Sequence, residues 1–487
     1  MAKYLLPAVL MAGLLMLAAA WLLTGGAGDT TVPAAPAAST ADQPNIVLLV
    51  FDALRADTFY GERNGGPLMP NLTALAEQSK QFTNAVTPCT WTRPAMASLF
   101  TAQYPETHGV MYGVRDQGKD LAVGDILGDP AETMAEYLAA YGYDTYGVQT
   151  NSNAGRSKGL AQGFAEDAYV FGNNFDATWV RTKALEALPG LEPPFFLYAH
   201  FMETHAPYES PGGYMDGFGP APELTGADQY WLRPEQFIPF LIDQARKAFG
   251  LEREKPLPDL SPGGREMVKR KYDAAARYLD DEAHRLLQAV LAEFPNTIVV
   301  GLADHGEELW EHGGMGHGTT LHAEQVNVPF FIHGPGIAPG TVHRPASILH
   351  LLPTLAPHLG LPPRPAWQGR NLFAAETGAP PVFSWTRGDT HEWNLFAQSV
   401  QQGDYKLILR HNRGERLLYN TAKDPRETEN LAAAHPRKTE HLEALLREHH
   451  YETTRKRSAD TAATQELTPE AKEQLKALGY LGGAGGE

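Results

Sequence analysis

Four mostly apolar runs, each of strand length, recur along this chain of 487 residues. They are residues 45–51, 195–201, 297–303 and 328–333. Their hydrophobicity is nearly continuous rather than alternating, which is typical of strands buried on both faces, as in parallel sheets. Helical spacing appears between them, as in the Ala-, Glu- and Arg-rich stretch at about residues 264–293. We therefore predict an α/β fold with a large, mostly parallel central sheet flanked by helices.

Residues that can hold a cation follow two of these runs. Asp52 ends the first run, and Asp304 and His305 follow the third. The segment Trp91–Ser98 adds the hydroxyl of Thr92 at the start of a predicted helix. Because the carboxyl ends of parallel strands meet at one edge of an open sheet, we expect these groups to converge. Imidazole and carboxylate are ordinary zinc ligands, and a metal-bound hydroxyl is an activated nucleophile. The set predicts attack of a Thr oxygen on an anionic ester.

The N-terminal residues 1–24 predict export. Residues 4–23 form an apolar run without charge, preceded by Lys3. About 20 apolar residues can span a bilayer, whereas the apolar part of a cleaved signal peptide is usually about 7 to 15 residues long. A membrane anchor and a removable signal peptide therefore both stay open for this segment. Residues 25–43, rich in Gly, Ala, Pro, Ser and Thr, predict a flexible linker.

Charge and cysteine content restrict the partners. The net charge of -17 repels phosphate backbones, and no Lys/Arg cluster offers the usual footprint for DNA or RNA, so we predict no nucleic acid partner. Cys89 is the single cysteine, so no internal disulfide can form. A hydrophobic content of 43% allows a large core, which must supply the stability instead.

The pattern changes twice within the exported part. Residues 44–375 carry the α/β pattern and form the predicted catalytic domain. A Pro- and Gly-rich stretch with scattered aromatic residues, at about 207–263, interrupts it as an insertion. Insertions beside an active edge usually shape substrate specificity. Residues 376–487 have shorter alternating strands, which predict a C-terminal subdomain with a small antiparallel sheet and a closing helix.

Several motifs follow one another in a specific order, including NIVLLVFDALRAD at residues 45–57 and DHGE at 304–307. The other motifs are residues 96–109, 200–208, 272–281, 418–431 and 475–481. Together they resemble the sulfatase family of the alkaline phosphatase superfamily over nearly the whole exported chain. The resemblance implies that superfamily's fold, with a large central sheet, and a metal-dependent ester hydrolase or transferase that acts on a small phosphate or sulfate ester.

The nucleophile segment departs from the family pattern. In the family's sulfatases a cysteine of a Cys-x-Pro-x-Arg element is oxidised to formylglycine. Here Thr92 takes the place of that cysteine, Pro94 is kept, and Met96 replaces the arginine. Thr92 resembles the metal-bound Thr of the superfamily's phosphodiesterases and phosphoalcohol transferases, which implies phosphoryl transfer. The usual second Asp is Ala53, so one cation fits better than a calcium cage, which needs about 6 to 8 oxygen ligands.

Cys89 offers an alternative nucleophile. Cys89 and Arg93 have the formylglycine spacing, although Trp91 stands where Pro is expected and the motif lies three residues out of register. A free cysteine is most often a small buried hydrophobic residue. Two alternative functions therefore stay open besides phosphoester cleavage: a sulfuric ester hydrolase and a catalytically inactive ligand-binding homologue.

The resemblance implies roles for the remaining residues. Asp52, Thr92, Asp304 and His305 would hold one divalent cation, with zinc or manganese favoured by the imidazole and calcium or magnesium still possible. Thr92 would attack to form a covalent intermediate. His205 and His317, the latter within Gly316-His317-Gly318, would bind ester oxygens or protonate the leaving group.

Several of these residues have alternative roles, either purely structural or in a second metal site. Thr92 can be an ordinary N-cap, since Thr commonly caps helices. A second metal held by Glu203, His205 and His317 is an open hypothesis by analogy with two-metal phosphodiesterases. His312 and His322 lie in the same His-rich stretch as His317 and can simply be solvated.

Overall fold

The computed structural model describes residues 43–112, 115–116, 122–172, 176–248, 257–375, 378–386, 396–411, 413–457 and 462–466. The predicted export segment and, apart from Gln43, the predicted linker lie outside the described residues. The family-like C-terminal motif at 475–481 also lies outside them. Within the described ranges, no helix combines the length and the apolar character that a membrane crossing requires.

The predicted apolar runs form the middle of an eight-stranded sheet. Its strands are β1 (Asn45–Phe51), β2 (Lys80–Phe82), β3 (Asp144–Gln149), β4 (Tyr169–Phe171), β5 (Phe195–Phe201), β6 (Thr297–Ala303), β7 (Phe330–His333) and β8 (Gly340–Val342). The spatial order is β8-β2-β7-β6-β1-β5-β3-β4. Strands β6, β1, β5, β3 and β4 run parallel, whereas β7 is antiparallel to β6 and to β2. The predicted large, mostly parallel sheet is confirmed.

The central strands are buried on both faces, as their continuous hydrophobicity predicts. Every residue of β1, β5 and β6 is buried. The run predicted at 328–333 is split in the structure. Residues Asn327–Val328 pair with Ala85–Val86 in a separate small sheet, and β7 begins after Pro329. Proline cannot donate a ladder hydrogen bond, which accounts for the change of partner there.

Helices flank the central sheet and the C-terminal sheet, and one lies in the insertion at about 207–263. They are α1 (Pro70–Glu77), α2 (Thr92–Thr101), α3 (Met134–Ala140), α4 (Ala177–Ala187), α5 (Pro234–Ala248), α6 (Pro262–Glu293), α7 (Leu351–His358) and α8 (Pro436–Lys456). Helix α6 is the long amphipathic helix predicted at about 264–293, and Ser261 caps it by accepting from the backbone N–H of Gly264. Buried α6 residues such as Leu279 and Leu286 join the main core.

A separate antiparallel sheet follows near the C-terminus, as predicted. Its strands, in spatial order, are β9 (Val382–Thr386), β10 (Ala397–Gln402), β11 (Tyr405–Arg410) and β12 (Glu415–Asn420). Helix α8 packs on it through Leu442 and Leu446, which share a cluster with Val400 and Leu407. This sheet and helix correspond to the expected subdomain, while the boundaries 44–375 and 376–487 stay predictions.

The insertion at about 207–263 contains a helical turn, Gly226–Trp231, and helix α5. Phe237 and Phe240 of α5 are buried beside Met315, in a cluster apart from the main core. The side chain of Leu241 lies against Gly316, the residue before His317. The insertion therefore packs against the segment that carries His317, one of the predicted site histidines.

Candidate metal centre and active site

Three of the predicted ligands converge at the carboxyl edge of the central sheet. Asp52 follows β1, Asp304 and His305 follow β6, and all three are fully buried. Their ligand atoms all lie within 4.8 Å of one another. His305 Nε2 lies 3.5 Å from Asp52 Oδ1 and 3.5 Å from Asp304 Oδ2. The parallel pairing of β1 with β6, which aligns Phe51 with Ala303, brings the groups together.

Local hydrogen bonds set the orientation of these side chains. His305 Nδ1 lies 2.9 Å from the carbonyl of Gly306, so Nδ1 carries the proton and the Nε2 lone pair faces the carboxylates. Asp304 Oδ1 accepts from the backbone N–H groups of His305 (2.9 Å) and Ala53 (3.3 Å). Ala53 has a left-handed φ of 57°, a conformation that costs an L-residue about 1 kcal/mol. Strain of this kind persists where surrounding contacts enforce it, as here beside the carboxylate pair.

The carboxylate pair has the features of a cation site. Among the buried side-chain atoms of the described residues, Asp52 Oδ1 and Asp304 Oδ2 have no hydrogen-bond donor. Burial and the charge of Asp52 raise the pKa of Asp304 well above its usual range. Burial opposes ionisation of Asp52 too, but His200, His205 and His305 together outweigh it and lower its pKa. Two carboxyl groups buried together disfavour their joint ionisation, and a divalent cation between them would offset that cost.

Thr92 is the first residue of α2, and Trp91 is the N-cap. The hydroxyl of Thr92 therefore does not cap the helix, contrary to the alternative that Thr92 is an ordinary N-cap. Its Oγ1 lies 3.3 Å from His305 Nε2 and 3.5 Å from Asp52 Oδ2. The start of the helix also directs backbone N–H groups and the positive end of the helix dipole to this point.

Two further residues complete the cluster, and neither was among the predicted site residues. Asn151, just after β3, donates from Nδ2 to Thr92 Oγ1 at 3.0 Å and also to Asp52 Oδ2. His200, in β5, places Nε2 3.2 Å from Asp52 Oδ2. His200 lies in a motif noted in the sequence. The signal for Asn151 was the polar run from Gln149 to Asn153 directly after a strand.

The predicted histidines lie beside the metal centre. The ring of His317 lies 4.3 Å from that of His305 and 4.8 Å from that of His205, centroid to centroid. His317 Nδ1 contacts Glu307 Oε2 at 2.6 Å, and Glu307 also accepts from the Tyr208 hydroxyl. Burial lowers the pKa of His317 to about 4 and raises that of Glu307 to about 7. The two imidazoles thus lie side by side next to the ligand cluster, where they can hydrogen-bond to a bound anion.

The groups proposed for a second metal do not converge. His205 and His317 are neighbours, but the only group of three ligands found among the described side chains is Asp52, Asp304 and His305. Burial raises the pKa of Glu203 to about 8, and neither of its carboxylate oxygens has a hydrogen-bond partner among the described residues.

His312 and His322 belong to a buried network rather than to the metal centre or to solvent. Their rings stack at 3.7 Å. His312 contacts Glu324 at 2.7 Å, and His322 contacts Glu427 at 3.0 Å. Glu427 also accepts from Lys406 of β11. The network joins the loop after Asp304 to the C-terminal sheet.

Cys89 packs against the C-terminal sheet. It is fully buried and forms an isolated bridge with Trp385 of the C-terminal sheet. Burial raises the pKa of its thiol, which disfavours the reactive thiolate. The environment is that of a small buried hydrophobic residue.

Solved structures share this fold at low sequence identity. BT1596, a 2-O GAG sulfatase, superposes with a TM-score of 0.66 and 21% identity, covering 84% of this chain and 92% of that one. The phosphonate monoester hydrolase of Agrobacterium radiobacter gives a TM-score of 0.63 and 20% identity, covering 88% and 99%. The large mixed sheet and the separate C-terminal sheet are therefore those of the sulfatase fold.

Sequence comparison gives the same family. The choline-sulfatase of Rhizobium meliloti is 25% identical over 437 residues, covering 81% of this chain and 83% of that protein. The uncharacterized sulfatase YidJ of Escherichia coli is 23% identical over 427 residues, covering 80% and 83%. The sulfatase family model matches residues 44–361, so the chain belongs to the sulfatase family.

Proposed function

We propose that this sulfatase-family protein is a metal-dependent hydrolase or phosphoalcohol transferase that cleaves a phosphoester with Thr92 as its nucleophile. The observation that carries the proposal is the position of Thr92 Oγ1. It lies 3.3 Å from His305 Nε2, 3.5 Å from Asp52 Oδ2 and 3.0 Å from a donor of Asn151. The similarity in fold to phosphonate monoester hydrolases is compatible with this chemistry.

The donor set suits one divalent cation, held by Asp52, Asp304, His305 and Thr92. Two carboxylate oxygens without donors and an imidazole nitrogen directed at them favour zinc or manganese over calcium. When bound, such a cation lowers the pKa of a coordinated hydroxyl and polarises an ester oxygen. The identity of the cation is part of the proposal.

The chain's own groups account for the remaining chemistry. Thr92 Oγ forms a bond to phosphorus as the bond to the leaving alcohol breaks, and the Thr92 proton passes through Asp52 Oδ2 to solvent. Burial lowers the pKa of both His205 and His317 in the free protein; the histidine nearer the leaving oxygen takes up a proton when the anionic ester binds and gives that proton to the leaving oxygen. In the second step, that histidine takes a proton from water or from an acceptor alcohol as its oxygen attacks phosphorus. The bond to Thr92 then breaks, and a proton that returns from solvent through Asp52 Oδ2 restores the free hydroxyl.

A sulfuric ester hydrolase is the second candidate, because several relatives are sulfatases, including the choline-sulfatase. Such an enzyme would need either Thr92 or an oxidised Cys89 as nucleophile. The buried position of Cys89 beside Trp385 favours Thr92. In both cases the substrate is a small anionic ester. We also propose export, on the basis of the apolar segment at residues 4–23.

The test compares ester turnover in four forms of the full chain supplied with zinc or manganese. These are wild type, Thr92→Ala, Thr92→Ser and Cys89→Ala. Each is assayed with 4-nitrophenyl phosphate, bis(4-nitrophenyl) phosphate and 4-nitrophenyl sulfate. Thr92→Ser keeps a hydroxyl at the same position and is the matched control for Thr92→Ala. Intact-protein mass spectrometry at residue 89 detects formylglycine.

The proposal expects phosphoester turnover that falls by at least about a thousandfold in Thr92→Ala, as for loss of a nucleophile, and persists in Thr92→Ser and Cys89→Ala. Sulfate turnover that survives Thr92→Ala and disappears in Cys89→Ala would overturn it. Full metal occupancy without turnover of any ester, together with tight anion binding, would indicate the inactive ligand-binding homologue.

A further inference from the structure

A cavity of about 320 Å³ lies where the end of α2, the segment before α7 and helix α8 meet. Three aromatic side chains line it, those of Tyr104, Trp367 and Phe383. Thr92 is the first residue of α2, whereas Tyr104 follows the last turn of that helix. The ten residues of α2 span roughly 15 Å at about 1.5 Å per residue. The cavity is therefore distinct from the centre that holds the predicted metal ligands.

His350 presents a buried N–H donor at this cavity. The residue is 2% exposed and belongs to the lining. Its Nδ1 accepts from the backbone N–H of Ser347 at 3.2 Å, so Nε2 carries the proton. Burial and the charge of Arg370 lower the pKa of His350 well below its usual range, which keeps the imidazole neutral. The Nε2–H group has no acceptor among the described residues, although buried donors normally have one.

Three further N–H donors border the same cavity. Gln368 Oε1 accepts from the backbone N–H of Tyr104 at 2.7 Å, which fixes the amide group of Gln368. Its NH₂ group has no acceptor in the part of the chain that the structure describes, and the same holds for the indole N–H of Trp367 and the ammonium of Lys456. Donors that lack protein acceptors suit a ligand with acceptor oxygens.

The charges around the cavity are few. Lys456 is exposed at the end of α8 and forms no ion pair with a described residue. The carboxylate of Glu452 pairs with Arg455 at 3.1 Å. Arg370 also lines the cavity, but its Nη2 donates to the carbonyl of Pro345 at 2.8 Å, so its guanidinium is bonded within the protein. One ammonium beside neutral donors favours a ligand with a single negative charge.

The aromatic walls are held by contacts with one another. The rings of Phe383 and His449 stack with centroids 3.8 Å apart, and the ring of Tyr104 meets Phe383 edge to face at 6.0 Å. Trp367, half-buried, packs on Tyr137 at 5.0 Å. A volume of about 320 Å³ is at the lower end of the usual range of about 300 to 1,000 Å³ for small-molecule sites. Walls of this kind suit a ligand with one or two aromatic rings.

We propose that this cavity binds a small aromatic carboxylate. The carboxylate accepts from His350 Nε2 and from the amide of Gln368, and Lys456 offsets its charge. The aromatic ring packs between Trp367 and Phe383. Carboxylate oxygens only accept hydrogen bonds, so they complement a set of N–H donors without acceptors. The site is independent of the ester chemistry proposed for Thr92.

The test is isothermal titration calorimetry of the full chain, supplied with zinc, with 2-naphthoate as the probe. Gln368→Glu keeps the oxygen that accepts from Tyr104 and replaces the amide donor by a carboxylate oxygen. Lys456→Gln removes the ammonium, and Glu452→Gln removes the carboxylate of the lining. Lys423→Gln removes an exposed lysine outside the cavity and is the matched control. The comparison ligands are 2-naphthol, which lacks the carboxylate, acetate, which lacks the rings, and inorganic phosphate, which competes for the metal centre.

We expect one saturable site in wild type. Kd should rise at least tenfold in Gln368→Glu, because two carboxylates then face each other. It should rise about threefold in Lys456→Gln, since an exposed ion contact contributes little, and fall about twofold in Glu452→Gln. Lys423→Gln should leave Kd unchanged.

The comparison ligands separate this cavity from other sites. We expect 2-naphthol to bind at least about tenfold more weakly than 2-naphthoate, because it lacks the carboxylate that meets the donors. Neither acetate nor phosphate at the same concentration should displace the probe. Absence of binding in wild type, or an unchanged Kd in Gln368→Glu, would overturn the proposal. Displacement by phosphate would place the probe at the metal centre and would overturn it as well.

Discussion

The side-chain nitrogen of Asn151 donates to the hydroxyl oxygen of Thr92 across 3.0 Å. The amide is held in this orientation because its Oδ1 accepts from the backbone N–H of Asn153 at 2.7 Å. Asn153 in turn accepts from Arg93 at 2.7 Å. A fixed donor at the oxygen of a nucleophile stabilises the negative charge that develops when its proton leaves.

Loss of this donor should slow catalysis without removing the cation. We expect Asn151→Ala to lower kcat by about a hundredfold, as for removal of one preorganised donor. Metal content, measured by inductively coupled plasma mass spectrometry, should stay near one per chain because the other ligands remain. Asn84→Ala, which removes a side chain that donates to the His343 carbonyl, serves as the control. An unchanged kcat in Asn151→Ala would exclude this role.

The buried carboxylates should make the cation a stabilising ligand. Asp52 and Asp304 lie together at zero exposure, so removal of a bound cation leaves like charge or a trapped proton in the core. With the metal at about 100 times its Kd, chelation should lower the free energy of unfolding by about 3 kcal/mol. Urea unfolding with and without EDTA measures this difference.

Asp304→Asn should reduce the metal content and abolish the EDTA effect. Asp129→Asn, at an exposed position, should behave as wild type. Wild-type metal content in Asp304→Asn would place the cation elsewhere.

The two histidines beside the metal centre should matter most for poor leaving groups. A general acid contributes about 10²- to 10⁴-fold when the leaving oxygen needs a proton, and little when it does not. We therefore expect His205→Ala or His317→Ala to reduce turnover of a phenyl ester at least about tenfold more than that of a 4-nitrophenyl ester. Steady-state kinetics over a series of substituted phenyl esters give the dependence on leaving-group pKa. Parallel losses for all esters would assign binding rather than proton transfer, and exposed His343→Ala is the control.

Acid should weaken the contact between the loop after Asp304 and the C-terminal sheet. Burial alone would raise the pKa of Glu427, but Lys406 and His322 outweigh it and lower the pKa to about 2. A folded-state pKa below the usual 4.5 gives stability that is present above pH 4.5 and lost as the pH falls to about 2. The shift corresponds to about 3 kcal/mol.

Urea unfolding of Glu427→Gln between pH 2 and 7 tests this assignment. The variant should be less stable than wild type at pH 7 by about 3 kcal/mol or more, since Lys406 stays buried without its partner. The difference should shrink between pH 4.5 and 2. Glu429→Gln, at an exposed position, should follow the wild-type curve. A difference that is independent of pH would show that Glu427 acts through packing alone.

The sequence by itself determined the central strands, helix α6 and the edge at which the site lies. Continuous apolar runs of strand length indicate buried strands, and a polar residue at the end of a parallel strand lies at the carboxyl edge. Asp52, Asp304 and His305 were found for this reason. Their signal is local, because each lies within one or two residues of a run that stands out on its own.

Tertiary structure decided which distant side chains contact Asp52, Asp304 and His305. Thr92 was predicted to join the ligands, but its contacts with His305 across 213 residues and with Asn151 across 59 are set by the tertiary structure. Strand β3, which carries Asn151, reads DTYGVQ and lacks the apolar signal of the central strands. Sheet register and the turns at the strand ends fix these distances, because they set where each side chain points. The strained turn at Ala53 and the contacts of Thr92 with His305 and Asn151 exist only once the sheet is assembled.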